Sequence, residues 1–322
     1  MVSVVMATYN GEKYIVKQLE TIRRQTRMPD EVIICDDGST DNTKEIVLDY
    51  IKQKALENWS FYSNSSNMGF YDNFFKAVFL AKGDTIYLSD QDDMWDTDKI
   101  NIFEKIYQKK SDCMMLQSNY IYIDKKDKPI ERKVDYHGKG NASGYVPLSI
   151  HDICKFAGSG FTMSFRKEVV DMIIENALQE NKDMFEFHDV LFGLMAVTIG
   201  KCGYVPEVID RHRLHDKNVT QQARAVYVSD RTRKAQIDIL EKRIQRFNLL
   251  INLCNNTKKT KVFKEYSDFA AIRKNYIERF NLKDFIKLMK YKDYYASKLG
   301  LVTDTMYSAG MEKILLYLYK KI

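Results

Sequence analysis

Apolar residues follow two rhythms along the first hundred positions. Residues 2–7 (VSVVMA) form a short, continuous, β-branched run, which predicts a strand buried on both faces. Ile15, Val16, Leu19 and Ile22 then recur at helical spacing, and the helix must end before Pro29. Residues 31–35 (EVIIC) predict a second buried strand, stopped by Asp36-Asp37-Gly38. Ser39, Thr40 and Asp41 are candidate caps for a second helix with Ile46, Val47, Tyr50 and Ile51 on one face. Residues 59–63 predict a third strand and 70–82 a third helix. A fourth strand at 85–89 (TIYLS) runs straight into Asp90-Gln91-Asp92-Asp93. Four strand–helix alternations within about 100 residues predict a mostly parallel α/β sheet covered by helices on both faces. Ligands of such sheets sit at the carboxyl ends of the strands. The polar clusters TYN, DDGSTD and SDQDD should therefore converge on one edge.

Beyond residue 110 the pattern is coarser. Residues 113–124 predict a strand pair, 125–144 a polar excursion, and 156–165 (FAGSGFTMSF) a strand with glycines at a close backbone approach. Residues 166–180 and 185–199 predict helices, the second buried, with His188 and Asp189 near its start. From Ile237 the apolar positions Leu240, Ile244, Phe247, Ile251 and Cys254 alternate by three and four. That spacing predicts a long amphipathic helix whose stripe serves core packing or a subunit contact, followed by further helices.

Three clusters carry candidate chemistry. Two carboxylates in Asp90-x-Asp92 repel one another and need a counter-charge; oxygen ligands suit Mg²⁺ or Mn²⁺, and open positions on such an ion suit a diphosphate. A solvated acidic turn is the plain alternative. In DDGSTD a carboxylate could accept the imide N–H of a pyrimidine, with Thr8, Tyr9 and Asn10 supplying an aromatic face and polar contacts. The same run also reads as a capped turn. His212 and His215 are close enough for a zinc pair, but no cysteine or third histidine follows.

Taken together, V-S-V-V-M-A-T-Y-N-G, V-I-I-C-D-D-G-S-T-D at 32–41, N-M-G-F at 67–70 and L-S-D-Q-D-D-M-W at 88–95 resemble the glycosyltransferase family 2 proteins. The resemblance spans about the first 220 residues. It implies a GT-A fold, with residues 1–225 as the transferase domain and 226–322 as a basic helical region. It also implies an inverting, metal-dependent transfer of a sugar from a nucleotide-sugar donor to a glycan acceptor in surface polysaccharide synthesis.

Carried over, Tyr9 and Asp37 would hold the base with Thr8, Asn10 and Glu12 beside them, and Asn67 and Gly69 would line the nucleotide. Asp90 would lie near the ribose and Asp92 would bind the metal, with His215 as a third ligand or a diphosphate contact. Arg211 and Arg213 would face the leaving-group charge within a loop, 211–220, closing over the donor. Asp189 would be the general base, kept anionic by its helix terminus. Asp93, Trp95, Gly158 and His188 would shape the acceptor pocket. The S-D-Q-D-D-x-W variant, with H-D downstream, looks most like the rhamnosyltransferases of the family, implying dTDP-L-rhamnose. A UDP-hexose or UDP-N-acetylhexosamine is the alternative donor. A non-catalytic nucleotide-sugar-binding or scaffolding protein is the rival of another class, which donor hydrolysis would separate. A nicotinamide dehydrogenase is excluded by the missing G-x-G-x-x-G.

Composition narrows the setting. With 45% hydrophobic and 12% aromatic residues and four prolines, a packed core is expected and disorder is not. No apolar run approaches the roughly 18–20 residues that span a bilayer, and the amino terminus lacks a signal-like stretch. Five scattered cysteines without a Cys-x-x-Cys pair point to a reducing compartment, hence the cytoplasm. The net charge of +6 hides an asymmetry: from Arg231 onward 21 Lys/Arg face 9 Asp/Glu, against 29 and 35 before it. The basic tail suits an anionic membrane face, as a peripheral contact near a lipid-linked acceptor, or it is a solvated helical surface. Nucleic acid is not expected, since no binding motif accompanies the charge. A homo-oligomer stays open.

Overall fold

The computed structural model describes residues 1–131, 142–155, 158–185, 187–216, 218 and 232–319. Ten strands form one mostly parallel sheet in the order β3-β2-β1-β4-β9-β6-β10-β5, with β7 on β6 and β8 on β10. The strands are β1 Val2–Thr8, β2 Glu31–Asp36, β3 Trp59–Ser63, β4 Thr85–Asp90, β5 Met94–Trp95, β6 Cys113–Ile123, β7 Pro129–Ile130, β8 Val146–Leu148, β9 Met163–Arg166 and β10 Lys201–Arg213. Strands β1 to β4 are parallel, and β9 runs antiparallel between β4 and β6.

The first four strands and three helices lie where the hydrophobic pattern puts them. Helix α1 (Ile15–Arg23) buries Ile15, Leu19 and Ile22; α2 (Thr43–Gln53) buries Val47 and Tyr50; α3 (Phe70–Leu80) buries Phe74, Phe75 and Val78. The cap of α2 differs from expectation. Asn42 stands at the cap position without a side-chain capping bond, while Asp41 Oδ1 accepts the Thr43 N–H at 3.0 Å.

Further along, the chain departs from the pattern in three places. The expected strand pair at 113–124 is one long strand, β6, which carries β7 at its far end. The expected strand at 156–165 begins only at Met163, after a 3₁₀ turn at Gly160–Thr162; Phe156 and Ala157 lie outside the described residues. The run 211–220 starts as strand, because Arg211, His212 and Arg213 pair in register with Ile121, Tyr122 and Ile123. Residues 217, 219 and 220 of that run lie outside the description.

Helices α4 (Lys99–Lys109), α5 (Ile150–Lys155), α6 (Lys167–Glu175), α7 (Lys182–Phe185) and α8 (His188–Ile199) follow in chain order. Helix α8 is apolar nearly all round and its side chains are buried accordingly.

The chain divides into two compact units. One comprises Met1–Ile153, Ala157–Lys182 and Glu186–Leu214; the other comprises Cys154–Phe156, Asp183–Phe185 and His215–Ile322. The domain boundary expected at 225/226 falls among residues outside the description. In the second unit, α9 (Arg233–Leu253) and α10 (Thr257–Glu278) pack through Leu240, Phe247, Leu250, Phe263, Tyr266 and Ala270. The stripe from Ile237 to Cys254 is thus core packing, as expected. Asn256 caps α10 by accepting the N–H groups of Lys258 and Lys259. Helices α11 (Leu282–Lys290), α12 (Gly300–Ser308) and α13 (Glu312–Tyr319) complete the unit. Among the described residues no helix is long and apolar enough to cross a membrane.

Candidate active site

The three polar clusters meet at the carboxyl ends of the parallel strands. Register places Thr8 beside Asp36 and Ala7 beside Asp90, so the turns after β1, β2 and β4 start at one level. Gln91 ties the first turn to the fourth. Its Oε1 accepts from Thr8 Oγ1 at 2.5 Å and from the Tyr9 N–H at 2.9 Å, and its Nε2 donates to Tyr9 O at 3.0 Å. Asn10 ties the first turn to the second: its N–H donates to Ser39 Oγ and its Oδ1 accepts the Thr40 N–H. Glu12 Oε2 accepts from Asn42 at the start of α2. The Tyr9 ring is left 44% exposed, a free aromatic face at this edge.

Asp37 organises the loop before α3. Its Oδ1 accepts from Asn64 Nδ2 at 2.9 Å and the Met68 N–H at 2.8 Å, and its Oδ2 accepts the Gly69 N–H at 2.8 Å. A carboxylate has about four acceptor positions, so these three donors leave one, on Oδ2. Gly69 delivers its N–H with φ of 91°, a conformation other residues adopt only with strain. Asn67, exposed, accepts the same Gly69 N–H at 3.1 Å.

Asp90, Asp92 and Asp93 place carboxylate oxygens within 4.8 Å of one another. Burial and then the charges of Asp93 and Asp92 hold the Asp90 carboxyl far above the usual range. Asp93 is fully buried. Its Oδ1 meets His212 Nδ1 at 2.8 Å and the Arg213 N–H at 2.9 Å, whereas its Oδ2 is buried with no hydrogen-bond partner. Burial works against the imidazolium of His212, but Asp93, Asp92 and Asp90 outweigh it and push its pKa up to about 9. Arg213 Nε donates to Asp92 O at 2.8 Å, which fixes the backbone of the acidic turn. Three acids facing one imidazolium, with a buried orphan oxygen among them, fit a divalent cation in chemistry and charge.

A second, dry layer supports this turn. Lys99 Nζ, fully buried, donates to Asp210 Oδ1 at 2.7 Å and Phe161 O at 2.8 Å, and lies 4.1 Å from the centre of the Trp95 ring. The Phe161 ring stacks on His212 with centroids 4.7 Å apart. Trp95 is only 2% exposed and belongs to the core, so it does not line an acceptor pocket. Asp93 is likewise closed off, facing His212 instead of an acceptor. Arg213 is also corrected: its buried guanidinium is held by Asp92 O, Asp124 O and Asp127, and is not turned to leaving-group charge. Arg211 has its guanidinium 4.0 Å from Asp96.

Asp189 stands in the first turn of α8. Its carboxylate accepts the N–H of Val190 at 2.8 Å and that of Gly160. Burial nevertheless wins over these bonds and over the helix terminus, and lifts its pKa to about 6. The base-weakening effect expected of the terminus is therefore overruled. His188 is buried and stacked on Phe74 at 4.2 Å, and neither ring nitrogen has a partner; burial pushes its pKa down to about 3. Gly158 makes the anticipated close approach, since a Cβ there would sit 2.5 Å from the Gln117 side chain. His215 opens the second unit, where its N–H donates to Asn218 Oδ1 at 2.6 Å.

Gln91, Lys99 and Asp210 are the site residues that motif reading passes over, and His212, read there only as half of a zinc pair, faces Asp93 instead. Gln91 alone had a local signal, a polar side chain between carboxylates just after a strand.

The parallel sheet, with an acid-terminated fourth strand and a carboxylate opening α8, has the architecture of a GT-A fold. Residues 3–168, just over half of the chain, match the model of Glycosyl transferase family 2, and the chain belongs to that family. Glycosyltransferase GlyG of Streptococcus pneumoniae serotype 4 is 35% identical over 135 residues, 39% of this chain and 41% of that protein. An uncharacterized glycosyltransferase of Haemophilus influenzae is 28% identical over 77% of this chain and 73% of its own length. The matched region spans only 37–41% of the length of the first curated relatives. Among solved structures, S. aureus TarS 1-349 in complex with UDP-GlcNAc aligns with a TM-score of 0.65 at 17% identity, covering 99% of this chain and 91% of that one. The mannosyltransferase PcManGT from Pyrobaculum calidifontis, in complex with GDP-Man and Mn²⁺, aligns with a TM-score of 0.53 at 14% identity, covering 100% and 88%. At these identities the likeness is one of fold.

Proposed function

We propose that this glycosyltransferase moves a sugar from a pyrimidine nucleotide donor to a glycan acceptor with inversion, in surface polysaccharide synthesis. The observation that carries the reading is the gathering of three strand-end turns by Gln91, Asn10 and Asp37 around one edge. There the exposed Tyr9 ring stacks on the base and the remaining acceptor position of Asp37 Oδ2 takes its imide N–H. Thr8, Asn10 and Glu12 hold the turn, Asn67 and Gly69 line the nucleotide, and Asp90 meets the ribose. Asp92, with Asp90 and Asp93 behind it, would hold Mg²⁺ or Mn²⁺, whose chemistry when bound is neutralisation of charge on the departing diphosphate. Arg211 would add a guanidinium for the nucleotide's charge.

In the transfer step Asp189 takes the proton of the acceptor hydroxyl. That oxygen bonds to the anomeric carbon, and the bond from carbon to phosphate oxygen breaks with its electron pair leaving on the nucleotide. A carboxyl with pKa near 6 is a stronger base than an ordinary aspartate yet still ionised at neutral pH. His188 and Gly158 shape the acceptor side. The SDQDD-x-W motif favours dTDP-L-rhamnose as donor; the fold likeness to a UDP-GlcNAc complex favours a UDP-N-acetylhexosamine as the second reading. The basic tail supports a lipid-linked acceptor and peripheral contact at the inner face of the cell membrane.

Thermal shift against a panel of nucleotide sugars with Mn²⁺ tests the reading and separates thymidine from uridine donors. Chelation or Asp92→Ala should remove both the shift and donor hydrolysis. Full transfer after both treatments would eliminate the metal from the mechanism, and a parent protein that binds donor without hydrolysing or transferring it would mark a binding module.

A further inference from the structure

Among the described residues of the second unit, large exposed apolar side chains are confined to its carboxyl-terminal stretch. Among the described residues of α9 and α10 there are none, whereas Phe280 is 57% exposed, Leu282 65%, Ile286 45% and Met289 47%. Helix α11 explains three of them. At about 100° per residue, Leu282, Ile286 and Met289 form one outward stripe at spacings of four and three. Leu288, fully buried, and half-buried Phe285 turn inward. Lys283, Lys287 and Lys290 line one flank of the stripe. Asp284 is the sole acid of the helix, and it is engaged by Asn281 and, at 3.2 Å, by Lys287.

An apolar stripe with a lysine flank does not suit water, since three large aliphatic side chains are left uncovered on nine residues. A second copy on the same face would oppose two lysine rows with no spare acids to offset them. The pattern suits an interface that is apolar below and anionic above. Leucine, isoleucine and methionine enter the boundary of the acyl chains while lysine stems extend to lipid phosphates.

We infer that α11 is a docking element for an anionic phospholipid surface, lying in the plane of the headgroups. This gives the proposed membrane setting a specific surface, and it stands on the helix alone, whether or not the transfer reaction is as proposed.

Co-sedimentation of the full chain with phosphatidylcholine vesicles, with and without phosphatidylglycerol, tests it. Binding is expected to the phosphatidylglycerol vesicles only, and to weaken with salt. Ile286→Glu with Met289→Glu should weaken it at least about tenfold, and Lys283→Ala with Lys290→Ala should flatten the salt dependence. Hydrogen exchange on the parent protein gives a reading free of any folding defect: amides of 282–290 should slow when vesicles are added. Failure to sediment with phosphatidylglycerol, or unchanged exchange at 282–290, would overturn the inference. So would a dimer that Ile286→Glu dissociates, which would assign the stripe to a second copy. Donor binding, measured in parallel, reports on the nucleotide site and leaves the two questions separate.

Discussion

His212 Nδ1 lies 2.8 Å from Asp93 Oδ1, joining the end of β10 to the acidic turn across 119 positions of sequence. The pairing of β5 with β10, Trp95 opposite Asp210 and Met94 opposite Arg211, sets this contact. An imidazolium thus sits among acids that would otherwise repel one another.

That pair makes stability depend on pH in a definite window. The folded pKa of His212 is raised from 6.5 to about 9, so its contribution is fully present below about 6.5 and lost as pH rises through 9. The loss should be on the order of 3 kcal/mol. Urea denaturation at several pH values should show this fall in the parent protein, and His212→Gln should abolish it. A parallel slope in the variant would locate the titration elsewhere.

Asp189 predicts a pH–rate profile. The base works ionised, so turnover should rise between pH 5 and 7, around the value of about 6 that burial sets. Asp189→Asn should lower turnover by roughly 10²–10⁴ while donor binding, followed by calorimetry, persists. Near-parental turnover would mean that another group takes the proton.

Asp37→Asn replaces a carboxylate that accepts three N–H donors with an amide whose own N–H₂ must face at least one of them. A stability loss of about 1–3 kcal/mol is expected, together with weaker nucleotide affinity. If affinity holds while stability falls, Asp37 orders the loop and does not touch the base.

Lys99→Met should cost about 3–5 kcal/mol, because Asp210 would be left charged in a dry site. Combining it with Asp210→Asn should recover much of the loss in denaturation midpoints. Additive losses would contradict a dominant charge pairing between the two.

Most of the parallel half of the sheet was legible because β1, β2 and β4 are buried on both faces and read as short apolar runs, while the edge strand β3, largely exposed, showed only as a short aromatic stretch. β10 was not, since its register shifts around Pro206 and Glu207 interrupt any regular pattern, and β5 and β8 are too short to register one. The edge formed by TYN, DDGSTD and SDQDD followed from topology alone. What holds that edge did not. Lys99 meets Asp210 across 111 positions and His212 meets Asp93 across 119, and no local spacing encodes such partners. Trp95 misled for a related reason: an aromatic after an acidic turn looks like a binding surface until the strand it belongs to is seen to be interior.

Phe161 occupies a single turn of chain with three attachments. Its carbonyl anchors Lys99, its ring rests on His212, and its neighbour Gly160 supplies an N–H to Asp189. The acids proposed to face the nucleotide and the base proposed to face the acceptor therefore share one abutment. On that reading a change at this position cannot be confined to either substrate, and the two halves of the reaction are constrained to vary together.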